Sequence, residues 1–271
     1  SLPAWGQGQE HGLDIENVPT PLTLPELLPP GGIEAVDVDF WMRIEASNND
    51  RSIDIRFIHW NIQPVEGQLV FTMQSGTAGT KLHSSAQTTY SKEGKLTAYR
   101  NVSHLHGKKS GEVVGEVADD QITLKTTSYD ANGQATAKNE IKSLDVFDKT
   151  VPSEWFSLIA AYHIRKGSLG YEFARTDLAY RFQHADTFIE DVGTEQVEWD
   201  GKTYTARMLL GDRTFNKRKR DKAESKLQYL VLPNGELMYM RNLYYGYKFL
   251  GNRVTKEAIE KEFWLPPTEK K

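Results

Sequence analysis

The chain has 271 residues, of which 38% are hydrophobic and 26% charged, a balance that suits a folded protein with a buried core. It contains no cysteine, which excludes disulfides, thiolate catalysis, Cys-based zinc sites and iron–sulfur clusters. Its net charge of −4 provides no global basic field, so nucleic acid is not an expected partner, and no run approaches the ~18 apolar residues of a membrane-spanning helix.

Residues 1–35 hold six of the eleven prolines, together with Glu10, Asp14, Glu16, Glu26 and Glu34. Proline removes backbone donors and restricts the residue before it, so this acidic arm is expected to be extended, either as a tether or as a strap anchored by Trp5, Leu13, Ile15, Leu22 and Leu27. The first Lys or Arg is Arg43, which is unlike a leader peptide. The expectation is that a leader has been removed and that the protein is periplasmic or secreted. The lack of cysteine fits export into an oxidising compartment.

From Val36 the apolar period is two. In QLVFTMQS, Leu69, Phe71 and Met73 share one face, and in QITLKTTS, Ile122 and Leu124 do the same. Turn pairs punctuate these runs at Glu66-Gly67, Glu93-Gly94, Asp119-Asp120, Asn132-Gly133, Asp200-Gly201 and Asn234-Gly235, with a further turn at Asn48-Asn49-Asp50. The pattern predicts a mainly β fold: a long antiparallel meander of roughly a dozen strands, about twice a typical sheet. So many strands must curve, open into a barrel or split into two layers.

Two segments break the period. PSEWFSLIAAYHIRK predicts a mid-chain helix over 153–166, started by Pro152 and Ser153, and TKEAIEKEFW predicts a C-terminal helix with Thr255 as N-cap. One β-rich domain over 36–265 is expected, with possible halves 36–150 and 167–250 joined by the mid-chain helix, and a tail at 266–271.

Short motifs give little chemistry. His104 and His106 in HLH would share a strand face and reach one metal ion, but two ligands do not complete a site, so no metal is assigned. GKKSG lacks the earlier glycine of a phosphate loop, since position 102 is Val, and is expected to be a hairpin loop over Gly107–Gly111. No nucleotide or other cofactor is expected. Asn101-Val102-Ser103 matches a glycosylation sequon within a strand. No nucleophile elbow, zinc-protease helix or kinase signature is present, whereas paired carboxylates of a glycosidase would come from distant strands and leave no spacing to read.

Residues 213–226 carry seven basic and two acidic residues, and Lys217, Arg218, Lys219, Arg220 and Lys222 form an exposed loop that would hold an anionic group or simply remain solvated. Trp60, Tyr99, Tyr244, Tyr245 and Tyr247 are the candidate lining of a concave face, since aromatic platforms suit sugar rings and acyl chains. The same residues would serve equally as core and cross-strand pairs.

The VPSEWFSLIAAYHIRKG segment, the VEWDGKTYTARML hairpin with Gly201, Tyr204 and Ala206, and LQYLVLPNGELMYMRNLYY with Pro233, Gly235 and Leu237 carry a resemblance. Over roughly residues 36–250 the chain resembles exported bacterial proteins of uncharacterised function whose antiparallel sheets curl into half-barrels, similar to the lipoprotein-sorting carriers of the bacterial envelope. The resemblance implies a binding or carrier protein holding a lipid, a glycan or another envelope component, and it supplies no catalytic residue. Two alternatives stand beside it: a carbohydrate-active hydrolase or lyase, and a structural module without a small ligand. The oligomeric state is not legible.

Overall fold

The structure is a computed structural model and describes residues 28–48, 51–93, 95–118, 121–145, 169–177, 181–214, 225–244 and 247–266. They form fourteen strands: β1 (Val38–Asn48), β2 (Arg51–Val65), β3 (Gln68–Thr77), β4 (Leu82–Tyr90), β5 (Leu96–Leu105), β6 (Lys108–Ala118), β7 (Gln121–Tyr129), β8 (Ala135–Asp145), β9 (Leu169–Asp177), β10 (Arg181–Trp199), β11 (Lys202–Thr214), β12 (Ser225–Val231), β13 (Leu237–Tyr244) and β14 (Tyr247–Val254). A 3-10 turn, Gly32–Ala35, precedes β1, and helix α1, Lys256–Glu262, follows β14.

All fourteen strands belong to one antiparallel sheet in the order β8-β7-β6-β5-β4-β3-β2-β1-β14-β13-β12-β11-β10-β9. Two meanders therefore meet at β1 and β14, where Trp41 pairs with Val254 and Asn48 with Tyr247. The chain leaves one edge of the sheet at β8 and re-enters at the opposite edge at β9, so among the described residues the sheet is unclosed.

Side chains alternate across a strand, and in β1 Val38, Phe40, Met42, Ile44 and Ala46 are all buried while the residues between them are not. Register extends this inner face to Ile62 and Trp60 of β2, Phe71 of β3, Ala86 and Thr88 of β4, Tyr99 and Asn101 of β5, Val113 of β6 and Leu124 of β7. One buried cluster runs from Leu124 and Ile122 through Phe40 and Met42 to Leu209, Leu227 and Tyr229, and it takes in Ile33 and Val36 ahead of β1. A single sheet buries one face in this way by curving around it. Gly115 of β6 makes the curvature possible locally, because a Cβ there would come within 2.6 Å of Ile122 and 3.0 Å of Tyr99.

The outer face is mostly polar, with ion pairs such as Lys125–Glu116 at 2.6 Å and Arg100–Glu112 at 2.8 Å. It has two apolar patches. Leu230, Tyr239 and Ala206 pack with Trp199 and Tyr204, and Phe57 packs with Ile259 and Phe263 of the C-terminal segment. Thr255 caps α1 as its sequence position predicts, its hydroxyl accepting a hydrogen bond from the Ala258 amide at 3.3 Å. Arg43 then holds the helix end through two bonds to Glu262, at 2.9 and 3.1 Å.

The antiparallel meander and the C-terminal helix agree with the sequence reading, at fourteen strands rather than about a dozen. The mid-chain helix expected over 153–166, the arm up to residue 27 and the Lys217–Lys222 loop lie outside the described residues; α1 is the only α-helix among those described. One expectation is corrected. Gly107–Gly111 is not a hairpin loop: the turn is His106-Gly107, with φ of 52° and 79°, and Lys108–Ala118 is already β6. Glycine at φ > 0, at Gly67, Gly133, Gly201 and Gly235, explains the legible turns, whereas a histidine before it gives no such signal.

Candidate functional site at the open end of the inner face

The inner face changes character along β1. At the Val38 end its own side chains fill it: Phe40, Met42, Ile62, Leu69 and Ile122 are each at most 2% exposed. Towards Asn48 the same face carries Asp54 and Arg56 of β2, Ser75 and Thr77 of β3, Leu82 and Ser84 of β4, and Ser103 of β5, placed together by register. Leu82 is 44% and Tyr247 41% exposed, which marks this end as open.

The switch is written in β2. Ile53, Ile55 and Phe57 occupy odd positions and Ile58, Trp60 and Ile62 even ones, so the apolar side changes face between Phe57 and Ile58. Before that point the inner face receives Asp54 and Arg56, and the apolar residues turn outward, Phe57 and Ile55 to meet α1 and its flanks. Sequence reading missed Asp54, Arg56, Ser75 and Thr77, although this double alternation was available as a signal.

Arg56 donates to Asp54 Oδ2 from Nε at 2.8 Å and from Nη2 at 2.6 Å. Asp54 Oδ1 is buried and has no hydrogen-bond partner. Further along the face, Ser84 Oγ donates to Asn101 Oδ1 at 2.8 Å in a buried pair. Carboxylate, guanidinium, hydroxyls and amide thus lie on one concave surface beside Tyr247, and Phe249 of β14 packs at the edge of the core cluster. Such a set offers hydrogen bonds to hydroxyl or phosphate oxygens and an aromatic ring for stacking.

The five predicted lining residues divide. Trp60 and Tyr99 do share the inner face, at its filled end: Tyr99 is 5% exposed, and Trp60 rests against Phe40 with ring centroids 5.1 Å apart. Tyr247 belongs to the open end. Trp60 pairs with Phe40 and Tyr247 with Asn48, eight positions away on β1, or roughly 27 Å at ~3.4 Å per residue. The backbone of Tyr244 pairs with Tyr247 across the β13–β14 hairpin, and Tyr245 lies outside the described residues.

His104 and His106 do not share a strand face, because β5 ends at Leu105 and His106 sits in the turn. His104 instead lies opposite His83 on the outer face. Burial, with the nearby His104, pushes His83 down to about 4, so its ring is neutral. Elsewhere on that face Asp39 meets His59 Nε2 at 2.7 Å, and this bond holds its carboxyl below the ordinary aspartate value against the opposing effect of burial. Trp41 stacks on His59 at 3.9 Å. Among the described residues no group of three His, Asp or Glu is placed to hold a metal ion, and no helix is long and apolar enough to cross a membrane.

This architecture has a solved counterpart. The chain is similar to a beta-barrel-like protein of a domain of unknown function, DUF1849, from Brucella abortus, with a TM-score of 0.51 and 12% identity over 81% of this chain and 98% of that one. That likeness shows the fold. A hypothetical lipoprotein, YmcC, from Escherichia coli aligns over 82% of this chain and 89% of its own with a TM-score of 0.32 and 10% identity. No protein-family profile and no curated protein matches the chain.

Proposed function

We propose that this is an exported bacterial envelope or secreted protein of the binding or carrier type, which holds a lipid, a glycan or another envelope component at the open end of its inner face. One observation carries the reading: towards Asn48 the concave β face carries half-buried Asp54, Ser75 and Thr77 with exposed Arg56 and Tyr247, rather than an apolar core. A face needed only for folding would bury apolar residues along its whole length, as the Val38 end does.

The filled end makes the polar part of the ligand, a sugar ring or a head group, the part recognised. Arg56 suits anionic oxygens, Asp54 and the hydroxyls suit sugar hydroxyls, and the Tyr247 ring suits a pyranose face or the start of an acyl chain. Location in the periplasm or outside the cell rests on the cysteine-free composition and on the resemblance to exported proteins. The basic loop from Lys217 to Lys222 would add anionic attraction where a phosphate is present.

The test is native mass spectrometry of the freshly purified full chain, followed by organic extraction and lipid and glycan analysis. A stoichiometric adduct that extracts as lipid or saccharide is the expected result. A bare chain mass, with no saturable binding when envelope lipids and glycans are added back, would overturn the reading.

A further inference from the structure

His83 and His104 form a cross-strand pair on the outer face, on the opposite side of the sheet from Leu82, Ser84 and Ser103 of the open end. His83 is 1% exposed, and neither of its ring nitrogens has a hydrogen-bond partner. Buried polar groups in folded proteins are normally satisfied, so a side chain with two orphaned nitrogens points to an occupant. Around it stand three rings: the His104 centroid at 6.1 Å, Trp264 at 6.2 Å and Phe57 at 6.0 Å. Trp264 is also 6.2 Å from His104, so the two imidazoles and the indole make a nearly equilateral triangle. Trp264 packs beside the turn, 3.5 Å from where a Cβ of Gly107 would be, and glycine is favoured at that position by its φ of 79°.

The donor set decides which ion fits. Divalent zinc takes four ligands, and no third His, Asp or Glu is placed here among the described residues. Lys109, cross-strand from His104, is committed to Glu112 at 2.8 Å and adds no ligand. A monovalent ion of filled d shell binds two nitrogens nearly in line. With metal–nitrogen bonds of ~2.0 Å and a nitrogen ~1.1 Å from its ring centre, such an ion holds two imidazole centroids about 6.2 Å apart, whereas tetrahedral angles would bring them to about 5 Å. The observed centroid spacing, 6.1 Å, leaves room for such an ion between the two rings. A ligating imidazole uses one nitrogen and donates through the other, so His104 needs only one for the ion.

We propose that His83 and His104 form a two-coordinate site for a soft monovalent cation, copper(I) or silver(I), roofed by the Trp264 ring. The Trp264 ring lies 6.2 Å from both imidazoles, and the buried Phe57 ring flanks His83 on its apolar side. Half-buried His104 and Trp264 provide the way in.

The full chain is titrated anaerobically with copper(I) in competition with bicinchoninate, and separately with silver(I) as a redox-inert probe, with native mass spectrometry and tryptophan fluorescence as readouts. One ion per chain is expected, with quenching that disappears in Trp264→Phe while stoichiometry is kept. His83→Asn is a substitution deep in the fold, so the half-buried His104→Asn carries the main comparison. It should weaken binding by more than the ~10–100-fold that loss of a supporting residue costs. His106→Asn, in the exposed turn, should bind as the parent does. No binding by the parent chain, unchanged affinity in His104→Asn, loss of binding in His106→Asn, or zinc(II) binding as tight as copper(I) would each overturn the site.

Discussion

Arg56 gives both of its hydrogen bonds to one oxygen of Asp54, leaving the other oxygen of that carboxylate without a partner at the open end of the inner face. The Arg56 side chain is 48% and that of Asp54 21% exposed, so as an ion pair the two contribute little to stability. Arg56→Ala is therefore expected to change unfolding free energy by no more than about 1 kcal/mol while weakening ligand capture tenfold or more. Denaturant titration beside the extraction assay measures both; equal capture by parent and variant would remove Arg56 from the site.

Phe57 and Phe263 meet edge to face with centroids 5.1 Å apart, one on the sheet and one just beyond α1. Phe57→Ala should cost about 3–5 kcal/mol, the range for a buried phenylalanine. Phe263→Ala should act differently, because a seven-residue helix can undock alone. Hydrogen exchange is expected to show the Ile259 and Phe263 amides losing protection in that variant while the strand amides keep theirs.

Two glycines make unequal predictions. A Cβ at Gly76 would lie 2.5 Å from the Phe57 ring and 3.0 Å from the backbone oxygen of Leu82, whereas at Gly115 it would meet side chains, Ile122 and Tyr99. Side chains re-orient more readily than backbone. Both alanine variants should destabilise by about 1–3 kcal/mol, with Gly76→Ala the more costly, as thermal unfolding would show.

His83 sets a pH dependence in chelator-treated protein. Its folded value of about 4 lies below the ordinary histidine value of 6.5, so between those limits the unfolded chain binds the proton and the folded chain does not. Stability from this group is complete above pH 6.5 and falls as pH drops towards 4, by on the order of 3 kcal/mol in total. Asp39 and Glu112, whose values are lowered, lose their contributions only below the ordinary carboxylate range. His83→Leu should flatten the slope across this window, as urea titrations at successive pH values would reveal.

The strands were legible because alternation and turn chemistry are local. Glu66-Gly67, Asp200-Gly201 and Asn234-Gly235 all turn with glycine at positive φ. The pairing of β1 with β14 was not legible, since it joins Asn48 to Tyr247 and no local pattern records that contact. The aromatic lining failed for the same reason: Trp60 and Tyr247 are both inner-face residues, but register separates them along β1. The polar half could have been read from the change of apolar side at Phe57-Ile58. The His83–His104 pair could not, because twenty-one positions separate the two and only the β4–β5 register makes them neighbours.

The central claim is that a ligand is held at the open end of the inner face, and site-specific photo-crosslinking tests it most directly. Benzoylphenylalanine is placed at Thr77, which register sets beside Arg56, and at exposed Gln87 on the outer face. Irradiation of the freshly prepared protein should attach lipid or glycan mass at Thr77 and none at Gln87. Attachment at Gln87 alone, or at neither position when extraction recovers a ligand, would contradict the account.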